Sequence, residues 1–397
     1  MFSFKLVAKD NDARVGEMVT PHGTINTPSF VPVGTLGTVK GLSTDDLYKL
    51  GSQVIIANAY HLHIQPGEDS IEEMGGLHRF MSWKAPLMID SGGFQIFSLG
   101  VAKEHGVGKI APIFPEEKHL GGYLSMEKRE PLVRVDEDGV EFISYLNGST
   151  HRFTPEGVIQ IEKKLAADIV LALDECTSPL HDYHYTREAM NRTHHWAVRA
   201  LEEFKRTSSQ NQALIGIVQG GAYRDLREQS AAFIAGLDFD GYAIGGSLGR
   251  SKEEMYHVLE WTIPHMPQEK PRHLLGIGEV EDIFRVVKRG IDLFDCVLPT
   301  RMARTGTVLV KDADRFRMHL MNARFKGDPG PIEERCHCYA CCNYSKAYIR
   351  HLFMAKEPLA MRLAAIHNLH FLESLMHQIR DAVRGGRLGE LEREWLL

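Results

Sequence analysis

The sequence predicts an α/β protein, a (β/α)8 barrel (TIM barrel) carrying a small metal-binding insertion near its C-terminal end. Three observations carry this. Eight short apolar runs alternate with helical patterns over roughly 270 residues, the size such a barrel needs. Carboxylates and paired glycines directly follow several of those runs. Four of the six cysteines crowd into one stretch, Cys336 to Cys342.

The chain opens with β-like segments at residues 2–7 and 13–19 and a Pro21-His22-Gly23 turn. The apolar runs are residues 29–33, 53–57, 86–89, 168–173, 213–218, 241–244, 273–276 and 292–294. Residues 155–167 and 223–234 are amphipathic connectors. Two segments exceed a bare barrel. One is an insertion at about 100–151, with a hairpin turning at 136–139. The other is the cysteine segment, followed by a long helix expected at 365–384. The expected domains are therefore 1–310 (barrel with N-terminal hairpin), 311–363 (zinc-binding subdomain) and 364–397 (a C-terminal helix packing back on the barrel).

Composition narrows the class. At 397 residues, 43% hydrophobic and 25% charged, the chain is ordinary for a soluble globular protein. It shows neither a signal peptide nor a membrane-length apolar run, and its cysteines suggest no disulfide framework, so the cytoplasm is expected. The net charge of -6 is uneven. From Arg301 onward sixteen Lys/Arg face eleven Asp/Glu, a basic third suited to a polyanion.

Cys336, Cys338 and Cys341 have Cys-x-Cys-x2-Cys spacing, which lets three thiolates face one ion from a tight loop. A structural zinc needs a fourth ligand, and His351, His367 and His370 follow. Cys342 is a further competitor. At the strand ends, Asp90-Ser-Gly-Gly-Phe94-Gln, Asp174-Glu-Cys, Gln219-Gly-Gly, Gly245-Gly246-Ser247, Gly276-Ile-Gly and Asp295-Cys all project toward one rim. A carboxylate placed directly after an apolar strand needs a partner, a ligand or a reaction. Glycines there let a flat ligand approach the backbone. No Walker A pattern or Gly-x-Ser-x-Gly elbow is present. Paired carboxylates suit attack at an anomeric carbon with proton transfer to the leaving group.

These motifs, in this order and over nearly the whole chain, resemble the tRNA-guanine transglycosylases of bacterial type. The matching strings are Asp90-Ser-Gly-Gly-Phe-Gln, Leu173-Asp-Glu-Cys, Gly241-Tyr-Ala-Ile-Gly-Gly, Phe294-Asp-Cys-Val-Leu-Pro-Thr-Arg, and Cys336-x-Cys-x2-Cys followed by His367-Asn368. The resemblance implies exchange of guanine at the anticodon wobble position of tRNAs with GUN anticodons for a 7-deazaguanine, preQ1 or queuine, through a covalent Asp–tRNA intermediate. It implies Asp295 as nucleophile and Asp90 as general acid/base. It implies base recognition by Asp174, Gln219 and Gly246, with Phe94 stacking and Leu275, Gly276 and Ser247 lining the pocket. Arg301 and Arg304 would meet tRNA phosphates. Cys336, Cys338, Cys341 and His367 would hold one structural zinc per subunit. A homodimer is implied through Leu62, Tyr344, Tyr348 and His351.

One strip departs from the family. After Gly246 the common bacterial pattern runs Leu-Ala-Val-Gly, whereas this chain has Ser247-Leu248-Gly249, one residue shorter. The shorter strip is expected to leave room for queuine beside the 7-substituent. Two other readings compete. A zinc barrel hydrolase needs metal ligands at the strand ends, and no His-x-His follows the first strand. A non-catalytic tRNA-binding partner subunit should lack the nucleophile or base, yet both aspartates are present.

Overall fold

The computed structural model describes residues 2–97, 133–207 and 211–396. Eight strands form one parallel sheet: β1 (Ser29–Pro32), β2 (Ile55–Asn58), β3 (Leu87–Asp90), β4 (Ile169–Leu171), β5 (Ala213–Val218), β6 (Gly241–Ile244), β7 (Arg272–Leu274) and β8 (Leu293–Cys296). Their order is β1-β8-β7-β6-β5-β4-β3-β2. Each strand therefore lies beside its neighbour in the chain. A parallel bridge between Val33 and Ile56 joins the two edges, and the fold is a (β/α)8 barrel. All eight expected runs are strands. The physical reason they were visible is burial on both faces: β5 is Ala-Leu-Ile-Gly-Ile-Val with every residue buried.

The chain divides into two compact units. The first comprises residues 1–5, 18–23 and 57–275. Its helix Pro155–Leu165 starts where Thr154 accepts a hydrogen bond from Gly157 N and proline takes the first turn. The expected hairpin is present: Val133–Asp136 pairs with Gly139–Ile143, and Thr150–Phe153 adds a third strand. The rest of the expected insertion, residues 98–132, lies outside the described residues. His22 and His78 stack at 3.6 Å and both bond to the buried Asp168 carboxylate, at 2.8 and 3.2 Å.

The second unit comprises residues 6–17, 24–56 and 276–397, so it is assembled from both ends of the sequence. Arg14 and Asp292, both buried, form a two-point ion pair at 2.8 and 2.6 Å. Arg380 donates to Pro28 O at 2.8 Å, and Leu388 N–H donates to the Asp10 carboxylate at 3.0 Å. The long helix runs Pro358–Arg384, seven residues longer at its start than expected. Proline belongs at that first position, because the amide hydrogen it lacks would have no helical partner anyway. Asn368, on this helix, accepts from Leu309 N and donates to Pro299 O and Thr307 O, closing the segment after β8.

Candidate active site and metal centre

In the first unit the carboxylates stand where strands end. Asp90 is the last residue of β3. Its Oδ2 accepts a 2.6 Å hydrogen bond from Asn58 Nδ2. Asn58 ends β2 and caps the helix Ala59–Ile64, its Oδ1 accepting from His61 N. That cap leaves the amide nitrogen to face Asp90. Sequence reasoning missed Asn58, although its place at a strand end is the signal that singled out the aspartates.

Asp174 is buried, and burial pushes its carboxyl up to about 7 against the pull of Gln219. Gln219 Nε2 donates to Asp174 Oδ2 at 2.5 Å, which uses one of its two hydrogens. Gln219 Oε1 is buried with no hydrogen-bond partner among the described residues. Two glycines make this crowding workable. A Cβ at Gly93 would lie 2.5 Å from Asp174 O, and one at Gly246 would lie 1.9 Å from Gln219 Oε1. Gly246 also has φ +73, a left-handed backbone that side chains disfavour. Phe94 is 47% exposed, a flat apolar face open to a stacking partner. Ser247 is buried, and Leu275 is half-buried just beyond β7. A cavity beside Ser247 is lined by Ser178, His181, Tyr223, Gly249, Arg250 and Glu254.

Behind Asp174, Glu175 is fully buried and held by Arg192 at 2.7 Å and by the Tyr185 hydroxyl at 2.9 Å. This pairing keeps the carboxylate following Asp174 turned into the protein and satisfied.

In the second unit Asp295 lies in β8, half-buried, its Oδ1 accepting from Gly276 N at 3.3 Å. Burial raises the neighbouring Cys296 thiol to about 12, so it stays protonated and is no competing nucleophile. Arg301 and Arg304 sit on the helix Leu298–Arg304, both exposed. Neither forms an ion pair among the described residues. Burial and the neighbouring Arg301 charge lower the pKa of Arg304. The helix thus presents two exposed cations one turn apart.

Cys336, Cys338, Cys341 and His367 bring four donor atoms within 4.8 Å of one another. The three sulfurs lie 3.6, 3.7 and 3.3 Å from His367 Nδ1. Tetrahedral zinc with ordinary bond lengths separates sulfur from nitrogen by about 3.6 Å. The donor set therefore fits the ion. His367 Nε2 donates to Leu309 O at 2.7 Å, which fixes the tautomer and leaves the Nδ1 lone pair for a metal. Cys342 is exposed and outside this group.

The expected dimer residues separate. Leu62 is fully buried within the chain and offers no surface to a partner, a correction to the expectation. A strand-adjacent leucine on a six-residue helix faces the core here. Tyr344 and Tyr348 stack at 5.5 Å, Tyr339 packs against Tyr344, and Tyr339, Tyr348 and His351 are exposed. No described helix is long and apolar enough to cross a membrane.

The family model for queuine tRNA-ribosyltransferase matches residues 10–114 and 115–397. The chain belongs to this family. A relative from Archaeoglobus fulgidus is 49% identical over 96% of each chain. The queuine tRNA-ribosyltransferase of a Roseiflexus species is 46% identical over 99% of each chain. That of Herpetosiphon aurantiacus is 45% identical, covering 100% of this chain and 92% of the relative.

Proposed function

We propose that this chain is a cytoplasmic tRNA-guanine transglycosylase that exchanges the wobble guanine of tRNAs with GUN anticodons for a 7-deazaguanine by two displacements. One observation carries the reading: a chain of this family keeps a carboxylate at the end of β3, anchored by Asn58, and another in β8, anchored by Gly276. Asp295 attacks C1′ of the ribose, and the C–N bond to guanine breaks. Asp90 supplies the proton the departing purine needs and removes one from the incoming base. Inversion at each step restores the starting configuration. The target nucleotide leaves its stack to reach these groups.

Asp174 accepts from the purine's ring N–H and 2-amino group, and Gln219 and Gly246 N–H hold its O6. An adenine would leave those buried groups unmatched, which rejects it strongly. Phe94 stacks on the purine, Leu275 and Gly276 line its other side, and Arg301 and Arg304 hold tRNA phosphates. Zinc on Cys336, Cys338, Cys341 and His367 ties the cysteine loop to the long helix and takes no part in the chemistry. The exposed face of Tyr344, Tyr348 and His351 supports a homodimer.

Queuine is favoured over preQ1 as the incoming base. The cavity beside Ser247 is polar, and Glu254, its acidic wall, already accepts from Arg250 N at 2.6 Å. Such a lining can meet the hydroxyls of queuine and the amine that both bases carry, so the room left by the shorter Ser247-Leu248-Gly249 strip is what favours queuine. The deciding experiment is a trapped protein–tRNA adduct mapped by mass spectrometry. Attachment at Asp295, abolished by Asp295→Asn with tRNA binding retained, is expected. A fully active Asp295→Asn variant refutes the assignment. Steady-state comparison of preQ1 and queuine decides the base, and failure of queuine to exchange ends that part.

A further inference from the structure

Arg227 is 0% exposed, and no carboxylate is among its hydrogen-bond partners in the described residues. Its Nε donates to Gly221 O at 2.6 Å and its Nη1 to Val218 O at 3.0 Å. Its Nη2 donates to Gly245 O at 3.0 Å and Ser247 O at 2.8 Å. Burial lowers its pKa to about 9, so the side chain remains a cation at neutral pH. A buried charge this size needs good partners, and four backbone carbonyls serve here instead of an acid.

The choice of carbonyls is informative. Val218 and Gly221 bracket Gln219, and Gly245 and Ser247 bracket Gly246. The two loops are also joined directly, because Gly245 N donates to Val218 O at 3.1 Å. In a trans peptide the C=O and N–H point in opposite directions. With Gly245 O turned onto Arg227, Gly246 N–H is turned away from it. That N–H has no acceptor among the described residues.

We propose that Arg227 is a positioning residue for purine exchange. It locks the 245–246 peptide so that Gly246 N–H faces the purine O6, and its charge polarises that peptide toward the ligand. When the ribose C1′–N bond breaks and the Asp295 oxygen bonds to C1′, the released electron pair enters the purine and is shared with O6. A polarised donor aimed at O6 stabilises that charge until the proton from Asp90 arrives. This rests on assigning Gly246 and Gln219 to the base.

The test uses the full chain with Arg227→Lys and Arg227→Met, normalised to folded protein by circular dichroism. Two competitive inhibitors serve as probes: 7-deazaguanine and its analogue lacking the 6-oxo group. In Arg227→Met, kcat for guanine exchange is expected to fall about a hundredfold, as when an oxyanion donor is lost. The preference for the 6-oxo inhibitor should fall about tenfold, with Gln219 keeping the remainder, KM for tRNA should hold, and Arg227→Lys should recover part of both losses. Folded variants with wild-type kcat and intact 6-oxo preference overturn the proposal, as does equal weakening of both inhibitors. Should neither variant fold, a crystal structure of wild-type enzyme with guanine decides. Gly246 N–H on O6 with Gly245 O still on Arg227 supports it, and either contact missing overturns it. Wild-type protein unable to exchange guanine at all would instead overturn the transglycosylase reading.

Discussion

Asp174 gives a quantitative test of base recognition. Its carboxyl titrates at about 7 instead of 3.8, with burial the largest cause. In the proposed complex the purine offers N–H donors to it, so binding would select the ionised form. The ionised fraction rises from about one-tenth at about pH 6 to about nine-tenths at about pH 8. KM for the free base should therefore fall about tenfold across that window. Stability must move the other way. A folded-state pKa above the unfolded value means the fold favours the protonated acid. That contribution is complete below the unfolded value of 3.8 and is lost as pH rises through about 7. The full shift corresponds to about 4 kcal/mol as an order of magnitude. Asp174→Asn should thus be more resistant to urea than wild type at about pH 8 and nearly equal to it at about pH 4, while losing the KM slope. Labelled-guanine exchange into tRNA and urea unfolding at matched pH are the assays. A wild-type KM that stays flat over the window, or a slope that survives in Asp174→Asn, refutes the reasoning.

Three further outcomes follow from described contacts. Arg14→Ala removes the two-point cation partner of the buried Asp292 and should cost about 3–5 kcal/mol in urea unfolding, whereas replacing both partners by apolar residues should cost much less. Cys341→Ser should purify with little zinc by elemental analysis and with a lowered Tm, and chelation should lower wild-type Tm toward the same value. Gly246→Ala forces a methyl onto Gln219 Oε1 at a left-handed φ, so base KM should rise at least tenfold, as an order of magnitude, while the circular dichroism spectrum is unchanged.

The barrel was legible because a parallel strand covered on both faces must be apolar throughout, and such runs stand out without any contact information. Three candidate metal donors were legible because they sit within six residues, whereas spacing left the fourth open among three histidines, since His367 lies 26 residues past Cys341. Contacts between distant residues left no trace. Arg14 and Asp292 meet across 278 positions, and neither neighbourhood marks the other. Arg227 reads as an unremarked cation on the amphipathic helix Arg224–Ala235, since its four partners are backbone atoms that any residue supplies. Leu62 was assigned to an interface by resemblance alone, and nothing in its own surroundings in the sequence distinguishes a core leucine from an interface one.

The second unit takes its pieces from opposite extremes of the polypeptide, and the order in which a ribosome delivers them has a consequence. Residues 6–17 emerge from the exit tunnel first, yet their partners Asp292 and Leu388 emerge hundreds of residues later. Until those partners are made, residues 6–17 lack the contacts that Asp292 and Leu388 supply. Translation stalled before residue 388 should leave this unit open to protease, whereas the contiguous run of residues 57–275 can begin to compact while synthesis is still under way.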